Sequence, residues 1–311
     1  MRNAFAKEIE EQAKIRNEII LLSGDIGNRM FDSFKEIAPD RFINCGIAEA
    51  NMMSLASGMA LSGLRPVVYT ITPFTTTRCL EQIKIGAAYH NAPVLIIGTG
   101  SGLSYSELGP THHSFEDIAI LRSIPNIRIL APSDSNELVA QIREALSLDG
   151  PTYIRIGKKG EPNIFHNTDN LGIGKANTIR KGRDFLLIGI GPIIQEGIVA
   201  SEILSSHGID LSVVSLGSIS PLDTEFLKHQ LKRDYKAWIV LEEHSIIGGL
   251  GSTVLDWLNQ IHIENIPKIY KLGIKNEFIN MLGKQEYVRK TLGIDSAGVC
   301  KLIFDIDEKF S

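Results

Sequence analysis

Short apolar runs alternate with segments of helical period along this chain, and this alternation constrains its fold more than any other feature. Most of the apolar runs consist of Val, Ile and Leu with few polar residues, which is typical of strands buried on both faces of a parallel sheet. Parallel strands need crossover connections, and the helical segments between the runs can provide them. The sequence therefore predicts an α/β fold with mostly parallel sheets in a three-layer α/β/α arrangement.

The alternation occurs twice, which predicts two α/β domains in tandem. In the first half we predict strands at 19–22, 67–72, 93–99, 127–131 and 153–156, and helices at 48–62, 77–89 and 135–147. In the second half we predict strands at 185–190, 211–216, 238–241 and 268–272, and helices at 193–206, 253–261 and 296–309. The stretch from 157 to 184 is polar and without periodicity. We therefore expect domains at 1–165 and 185–311, joined by a linker at 166–184.

The composition excludes several classes of protein. The 311 residues include 32 basic and 36 acidic side chains, a net charge of −4, without the basic excess typical of nucleic-acid binding. No apolar run approaches the about 18 residues of a membrane span, and the first residues resemble neither a signal nor a transit peptide. Cys45, Cys79 and Cys300 lack the spacing of metal ligands and are expected to be reduced thiols. We therefore expect a cytoplasmic protein that binds neither nucleic acid nor membranes.

Two glycine-rich stretches are similar to nucleotide-binding motifs but depart from them. In the stretch 189–192, Pro192 removes a backbone donor, and Ile194 stands where the dinucleotide fingerprint needs glycine. The stretch 248–252 has no Lys-Ser/Thr ending and is therefore not a Walker loop. We interpret the first as turn geometry and the second as the tight start of a helix.

A single carboxylate, that of Glu49, stands among small and apolar residues in the stretch GIAEANM at 46–52. At the start of a predicted helix, the helix dipole favours an ionised glutamate, whereas burial disfavours it. Taken alone, Glu49 is explained as a capping or first-turn residue. The motifs that accompany it along the chain favour a functional role instead.

Four blocks, in their order, make the chain resemble the transketolase family, specifically the C-terminal half of transketolase as it occurs when that enzyme is divided between two polypeptides. The blocks are GIAEANM at 46–52, TPFTTTRCLEQIK at 72–84, GPTHHSFEDIAILRSIPNIRILAPSD at 109–134 and LEEHSIIGGLGS at 241–252. The resemblance extends over nearly the whole chain. It implies a pyrimidine-binding domain followed by the C-terminal domain of the family, with thiamine diphosphate as cofactor.

The resemblance implies that Glu49 bonds to a ring nitrogen of the cofactor's aminopyrimidine. Protonation of that nitrogen converts the exocyclic amine into an imine, which removes the thiazolium proton and gives the ylide. This chemistry needs a dry pocket, and we expect Ile47 and its small neighbours to line it. Phe74 matches an aromatic residue that stacks on the pyrimidine, and Asp25 matches an acid near the cofactor at the subunit contact. The alternatives are core packing for Phe74 and capping of the following segment for Asp25.

The resemblance also implies which residues bind the substrate. His112 matches a histidine that lines the substrate channel, where an imidazole can donate to or accept from substrate oxygens. His113 follows it, where the family commonly has Gln. Arg2 and Arg155 match arginines that bind the phosphate of sugar substrates. Solvated loop positions for the histidines and surface ion pairs for the arginines are the alternatives.

Two departures from the family pattern concern the substrate. Leu108 stands where transketolases have an Asp that bonds to a sugar hydroxyl, and Gly100 stands where they have a His at the phosphate end. A hydroxyl that faces Leu108 lacks a charged acceptor. We therefore expect cofactor activation to be intact and the substrate to be an unusual sugar or a less hydroxylated ketone.

The second half of a thiamine site is missing from the sequence. The family's diphosphate-and-metal unit is signalled by Gly-Asp-Gly and a following Asn-Asn, and neither occurs in this chain. A diphosphate with Mg2+ needs hard oxygen ligands, so we expect the metal ligands on a separate N-terminal subunit and none here. We expect an α2β2 assembly with sites between chains and self-association through both domains.

The expected function is therefore transfer of a two-carbon ketol unit between sugar-type substrates, by a two-component enzyme. Two kinds of thiamine enzyme remain as alternatives: 1-deoxyxylulose-5-phosphate synthases and the β subunits of 2-oxoacid dehydrogenases. A non-catalytic partner subunit is a third alternative, although such a role requires neither Glu49 nor His112.

Overall fold

Seven strands form the first sheet of the computed structural model, which describes residues 1–27, 29–261 and 266–309. The strands are β1 Ile19–Ser23, β2 Phe42–Asn44, β3 Arg65–Ile71, β4 Leu95–Thr99, β5 Arg128–Leu130, β6 Thr152–Ile156 and β10 Ser218–Ser220. Their order is β10-β5-β6-β4-β3-β1-β2, and all neighbours are parallel except β10, which is antiparallel to β5. The central strands β3, β4 and β6 are almost completely buried because helices cover both faces.

Helices accompany the first sheet in the expected alternation. They are α1 Arg2–Ile15, α2 Asp32–Ile37, α3 Glu49–Leu61, α4 Thr72–Thr75, α5 Leu80–Gln82, α6 Asp117–Leu121 and α7 Ser135–Ala145. The helix predicted at 77–89 is instead a 3-10 turn, the short α5 and a π turn. Just before it, the hydroxyls of Thr75 and Thr76 donate to the carbonyl of Thr72, and such local bonds compete with regular helix formation.

Five strands form the second sheet, in the order β12-β11-β8-β9-β7. They are β7 Asn177–Arg180, β8 Phe185–Gly189, β9 Leu211–Ser215, β11 Ala237–Ser245 and β12 Ile269–Ile274. The helices of this half are α8 Ile194–Ser206, α9 Thr224–Leu231, α10 Leu250–Gln260, α11 Gln285–Leu292 and α12 Ser296–Asp307. The fold class predicted from the sequence, two tandem α/β units with mostly parallel sheets, is therefore confirmed.

The two halves are joined more closely than a linker implies. One hydrophobic core contains Ile129 and Tyr153 of the first sheet together with Leu216 and Trp238 of the second half. Strand β10, from the second half, extends the first sheet. Strand β7 lies within the stretch 166–184 that was predicted to be a linker, and pairs antiparallel with β9. Both strands are short and carry polar residues, so the sequence gives no apolar run to reveal them.

The glycine-rich stretch 248–252 starts helix α10, as interpreted from the sequence. The backbone amides of Leu250 and Gly251 donate to the carboxylate of Glu242, at 2.7 and 3.0 Å. A Cβ at Gly249 would lie 2.0 Å from Glu242 Oε2, so this close approach requires glycine. Burial raises the pKa of Glu242 to about 7. The amides that could bind an anion at this helix end are therefore occupied by the chain's own side chain. No helix in the described part of the chain is long and apolar enough to cross a membrane.

We predict that Asp134→Ala destabilises the protein more than Asp295→Ala. Both aspartates cap a helix, α7 and α12, through one backbone amide at 2.9 Å. Asp134 is fully buried and also accepts from the amides of Ile164 and Phe165, each at 2.8 Å. We expect losses of about 1 kcal/mol for Asp295→Ala and about 3 kcal/mol or more for Asp134→Ala, measured by urea unfolding. Equal losses would contradict the added role of Asp134.

Candidate active site

The candidate residues lie where the parallel strands of the first sheet end. Asp25 follows β1, Phe74 follows β3, and the loop that contains His112 follows β4. Glu49 is the first residue of α3, shortly after β2. Because the carboxyl ends of parallel strands meet at one edge of a sheet, these loops lie close together, at the usual place for a ligand site in an α/β fold.

An ion pair between a buried carboxylate and a partly exposed guanidinium forms the centre of the site. The Glu49 side chain is 4% exposed, and its Oε1 accepts a hydrogen bond from Nη1 of Arg78 at 2.7 Å. The Arg78 guanidinium lies over the Phe74 ring, 3.8 Å from its centroid. A Cβ at Gly24 would lie 3.4 Å from Cγ of Glu49, so the backbone of the β1 loop closely approaches the carboxylate. The charge of Glu49 is thus compensated by a cation that also contacts the neighbouring aromatic ring.

His112 contacts the same cluster from the loop after β4. Its ring is edge-on to Phe74, with centroids 5.4 Å apart, and to Tyr105, at 5.9 Å. Its Nδ1 lies 2.9 Å from Oγ1 of Thr111. Burial and the nearby charge of Arg78 lower the pKa of His112. A neutral imidazole is therefore favoured at this position, and it can donate or accept a hydrogen bond.

Three residues of this cluster were not identified from the sequence: Arg78, Tyr105 and Lys158. Nζ of Lys158 lies 4.5 Å from the Tyr105 ring centroid and 2.9 Å from Oε1 of Glu107. The sequence did contain a signal for Arg78, since it is the one charged residue between Arg65 and Glu81. The contacts of Tyr105 and Lys158 depend on how the loops fold, which no local pattern indicates.

Tyr105 occupies the space next to Gly100. The φ of Gly100 is +74°, and a Cβ there would lie 2.0 Å from Cε2 of Tyr105. A larger residue at position 100 therefore meets both backbone strain and the tyrosine ring. Gly100, where the resemblance to the family implies a histidine, therefore packs against the ring of Tyr105.

Arg155 does not join the cluster. Its side chain is 6% exposed, and Nε lies 3.1 Å from Oδ2 of Asp117. Its Nη2 donates to the carbonyls of Ser114 and Glu243, at 3.4 and 3.2 Å. Asp117 Oδ2 also accepts from the hydroxyl of Tyr153 at 2.6 Å. In this structure, the guanidinium expected to bind a substrate phosphate is part of a buried network between the two domains.

The remaining candidates differ in exposure. Ile47 is 81% exposed, so this chain alone does not enclose the expected dry pocket around Glu49. Leu108 is also exposed, at 49%. Asp25, with a φ of +54°, accepts from Nδ2 of Asn44 at 3.0 Å.

His113 and Arg2 are less accessible. His113 is buried beside Phe115, and burial lowers its pKa. Arg2 is half-buried at the start of α1, and within the described residues its buried Nε has no hydrogen-bond partner. In the described ranges, no three His, Cys, Asp or Glu side chains are grouped so as to hold a metal ion.

Two family descriptions match the chain in succession. "Transketolase, pyrimidine binding domain" matches residues 1–161, and "Transketolase, C-terminal domain" matches residues 174–299. An apulose-4-phosphate transketolase subunit of Phocaeicola vulgatus is 31% identical over 310 residues, which cover 99% of this chain and 97% of that protein.

Two further similarities bear on how the domains are divided between chains. A 1-deoxy-D-xylulose-5-phosphate synthase of Chlorobium luteolum is 35% identical over 276 residues, which cover 87% of this chain but 42% of that protein. A solved structure described as "Split gene transketolase, inactive beta4 tetramer" has a TM-score of 0.87 and 29% identity, covering 98% of this chain and 97% of that one. This chain therefore belongs to the transketolase family, of which it comprises the pyrimidine-binding domain and the C-terminal domain.

Proposed function

We propose that this chain is the C-terminal subunit of a thiamine diphosphate-dependent transketolase, which transfers a two-carbon ketol unit between sugar-type substrates. The observation that carries the proposal is the buried carboxylate of Glu49 at the carboxyl edge of the sheet of a pyrimidine-binding domain. Through Arg78 it is connected to the ring of Phe74, which in turn contacts His112. A subunit that only assembles with its partner would not need an acid, an aromatic ring and a neutral imidazole together at this edge.

The residues present fit the aminopyrimidine half of the cofactor. Glu49 offers a carboxylate shielded from water, where hydrogen bonds to a ring nitrogen are strong. The face of Phe74 not covered by Arg78 offers an aromatic contact. Asp25 lies at the same sheet edge, and Ile47 is available to contact the cofactor from the exposed side. When bound, thiamine diphosphate supplies the carbon nucleophile, and Glu49 holds the proton that its activation requires.

The proposed substrate-binding site contains His112 and differs from the family pattern at Leu108. Neutral His112 can exchange a hydrogen bond or proton with substrate oxygens as they develop charge. Arg2 and His113 remain proposed substrate contacts, whereas the engaged guanidinium of Arg155 does not favour that role. Leu108 offers no hydrogen-bond acceptor to a substrate hydroxyl. The site therefore loses about 1.5–3 kcal/mol of preference for a substrate with a hydroxyl at this position. We infer a substrate with fewer or displaced hydroxyls, and the relative named for apulose 4-phosphate supports an unusual sugar.

A separate N-terminal subunit completes the proposed site. It would provide the Mg2+ ligands and the diphosphate contacts, because this chain lacks the sequence elements for both. Ile47 and the small residues beside it are exposed in this chain and would be covered by that subunit. We propose an α2β2 assembly in which this chain also contacts its own copy, as the solved structure described as a beta4 tetramer suggests.

We predict that the isolated chain shows no turnover and that the N-terminal subunit with Mg2+ restores it. The measurement is ketol transfer from xylulose 5-phosphate, hydroxypyruvate or pyruvate as donor, with each subunit alone and with both together. Use of pyruvate would favour a 1-deoxyxylulose-5-phosphate synthase over a transketolase. Calorimetry that found tight binding of thiamine diphosphate and Mg2+ to this chain alone would contradict the divided site.

We predict that Glu49→Gln lowers the turnover of the assembled enzyme by about 10²- to 10⁴-fold, because the neutral amide cannot hold the required proton. Assembly with the N-terminal subunit, measured by sedimentation, should be unchanged. The matched control is Glu81→Gln, which removes an exposed carboxylate beyond the ion pair and should leave turnover unchanged. A Glu49→Gln enzyme of normal activity would refute the role assigned to this residue.

We predict that Arg78→Met raises the pKa of His112 towards its ordinary value. The guanidinium charge disfavours the imidazolium form, and its removal lowers that penalty. The pH titration of the His112 ring protons by NMR measures this in the isolated chain, without cofactor or partner. Lys84→Met removes an exposed cation of the π turn and serves as the control. If the two variants titrate alike, the charge of Arg78 does not act on His112.

A further inference from the structure

The loop that carries His112 is closed at its base by its own backbone. Gly102 and Ser114 form an antiparallel bridge, with N–H to O distances of 3.1 and 3.2 Å between heavy atoms. The residues between them include Tyr105, Leu108 and His112. The position of the loop's base therefore sets the position of three side chains at the candidate active site.

The second half of the chain holds this base. The backbone amide of Leu103 donates to Oε1 of Glu243 at 2.6 Å, and the amide of Ser245 donates to the carbonyl of Phe115 at 2.8 Å. The hydroxyl of Ser106 donates to the carbonyl of Gly283 at 2.6 Å. Of these contacts, the bond from Leu103 is the one made to a charged side chain, and such bonds are the stronger ones.

Glu243 is anchored in its own domain. Its side chain is 9% exposed, Nε of Arg289 donates to its Oε2, and Nε2 of Gln285 donates to its Oε1 at 2.8 Å. A Cβ at Gly102 would lie 2.5 Å from Oε1 of Glu243, so the loop approaches as closely as glycine allows. A buried carboxylate needs hydrogen-bond donors around it, and one of these donors belongs to the loop.

We propose that Glu243 is a positioning residue, through which the C-terminal domain fixes the loop that carries His112. This rests on the proposed function, in which His112 contacts the substrate. The hydrogen bonds of the Glu243 side chain go to Leu103, Gln285 and Arg289, so it acts on His112 through Leu103 and the bridge at Gly102. The C-terminal domain thereby contributes to catalysis although, among the residues that the structure describes, none of its side chains belongs to the Glu49 cluster.

The test compares Glu243→Ala with Glu196→Ala. Oε1 of Glu196 lies 3.7 Å from Nη1 of Arg289, so the control also removes a carboxylate beside that arginine but has no bond to the loop. In the isolated chain, we expect amide hydrogen exchange of residues 103–113 to be about tenfold faster in Glu243→Ala and unchanged in Glu196→Ala. Equal exchange in the two variants would overturn the proposal, whatever reaction the enzyme catalyses.

Activity provides the second measurement. In the enzyme reconstituted with its N-terminal subunit, thiamine diphosphate and Mg2+, we expect Glu243→Ala to lower kcat by about 10- to 100-fold. The cofactor concentration for half-activation should stay within about twofold, because Glu49, Phe74 and Arg78 do not depend on Glu243. Faster loop exchange with an unchanged kcat would overturn the positioning role.

Glu243→Gln separates the loop contact from the ion pair. Its amide oxygen can still accept from Leu103, whereas the charge opposite Arg289 is lost. We expect a melting temperature lowered as in Glu243→Ala, with loop exchange and kcat restored towards those of the unaltered chain. If Gln gives no rescue of either, the effect belongs to the ion pair and the proposal fails. If Glu243→Ala does not fold, amide exchange of residues 103–113 and kcat are measured on Glu243→Gln instead. Normal values of both support the contact with the loop, whereas faster exchange with a lowered kcat contradicts it.

Discussion

The charge of Glu49 is the constraint on which the geometry of the site depends. A carboxylate at 4% exposure has lost most of its hydration, and only a cation with good hydrogen-bond geometry offsets that loss. Arg78 provides the charge and, from its position, covers one face of Phe74. His112 then contacts the edge of the same ring. The arrangement of a carboxylate, a guanidinium, an aromatic ring and an imidazole thus follows from the compensation of one buried charge.

The second constraint is the shared interior of the two domains. Their common core and the strand β10 leave little freedom for one domain to move against the other. The polar residues at this boundary, Asp117, Arg155 and Glu243, are almost fully buried and bond to backbone groups or to one another. Among the described residues, Oδ1 of Asp117 and Nε of Arg155 have no hydrogen-bond partner, although the two side chains form an ion pair at 3.1 Å. The other bonds of Arg155 and Glu243 connect the two domains. The loop after β4 is therefore held from both domains.

Sequence patterns predicted the parts of the fold that bury apolar side chains. Strands such as β4 and β8 are mostly apolar and buried throughout, and their predicted bounds were close to those observed. The polar edge strands β7 and β10 were missed because their pairing depends on distant backbone. For the site, motifs identified Glu49 and His112, but not their contact partners: Arg78 comes from the segment after β3, and Tyr105 comes from the same loop as His112. Arg155 was assigned from the resemblance alone, and only the structure shows its ion pair with Asp117.

The packing of Tyr105 against Gly100 has a consequence for how such enzymes diverge. A glycine with a positive φ that packs against an aromatic ring cannot be replaced singly, since the new side chain clashes with the ring and strains the backbone. Descendants that exchange this glycine for a bulkier residue must also rearrange the tyrosine. The two positions therefore constrain each other, and a histidine at position 100 is accessible only by a change that also moves Tyr105.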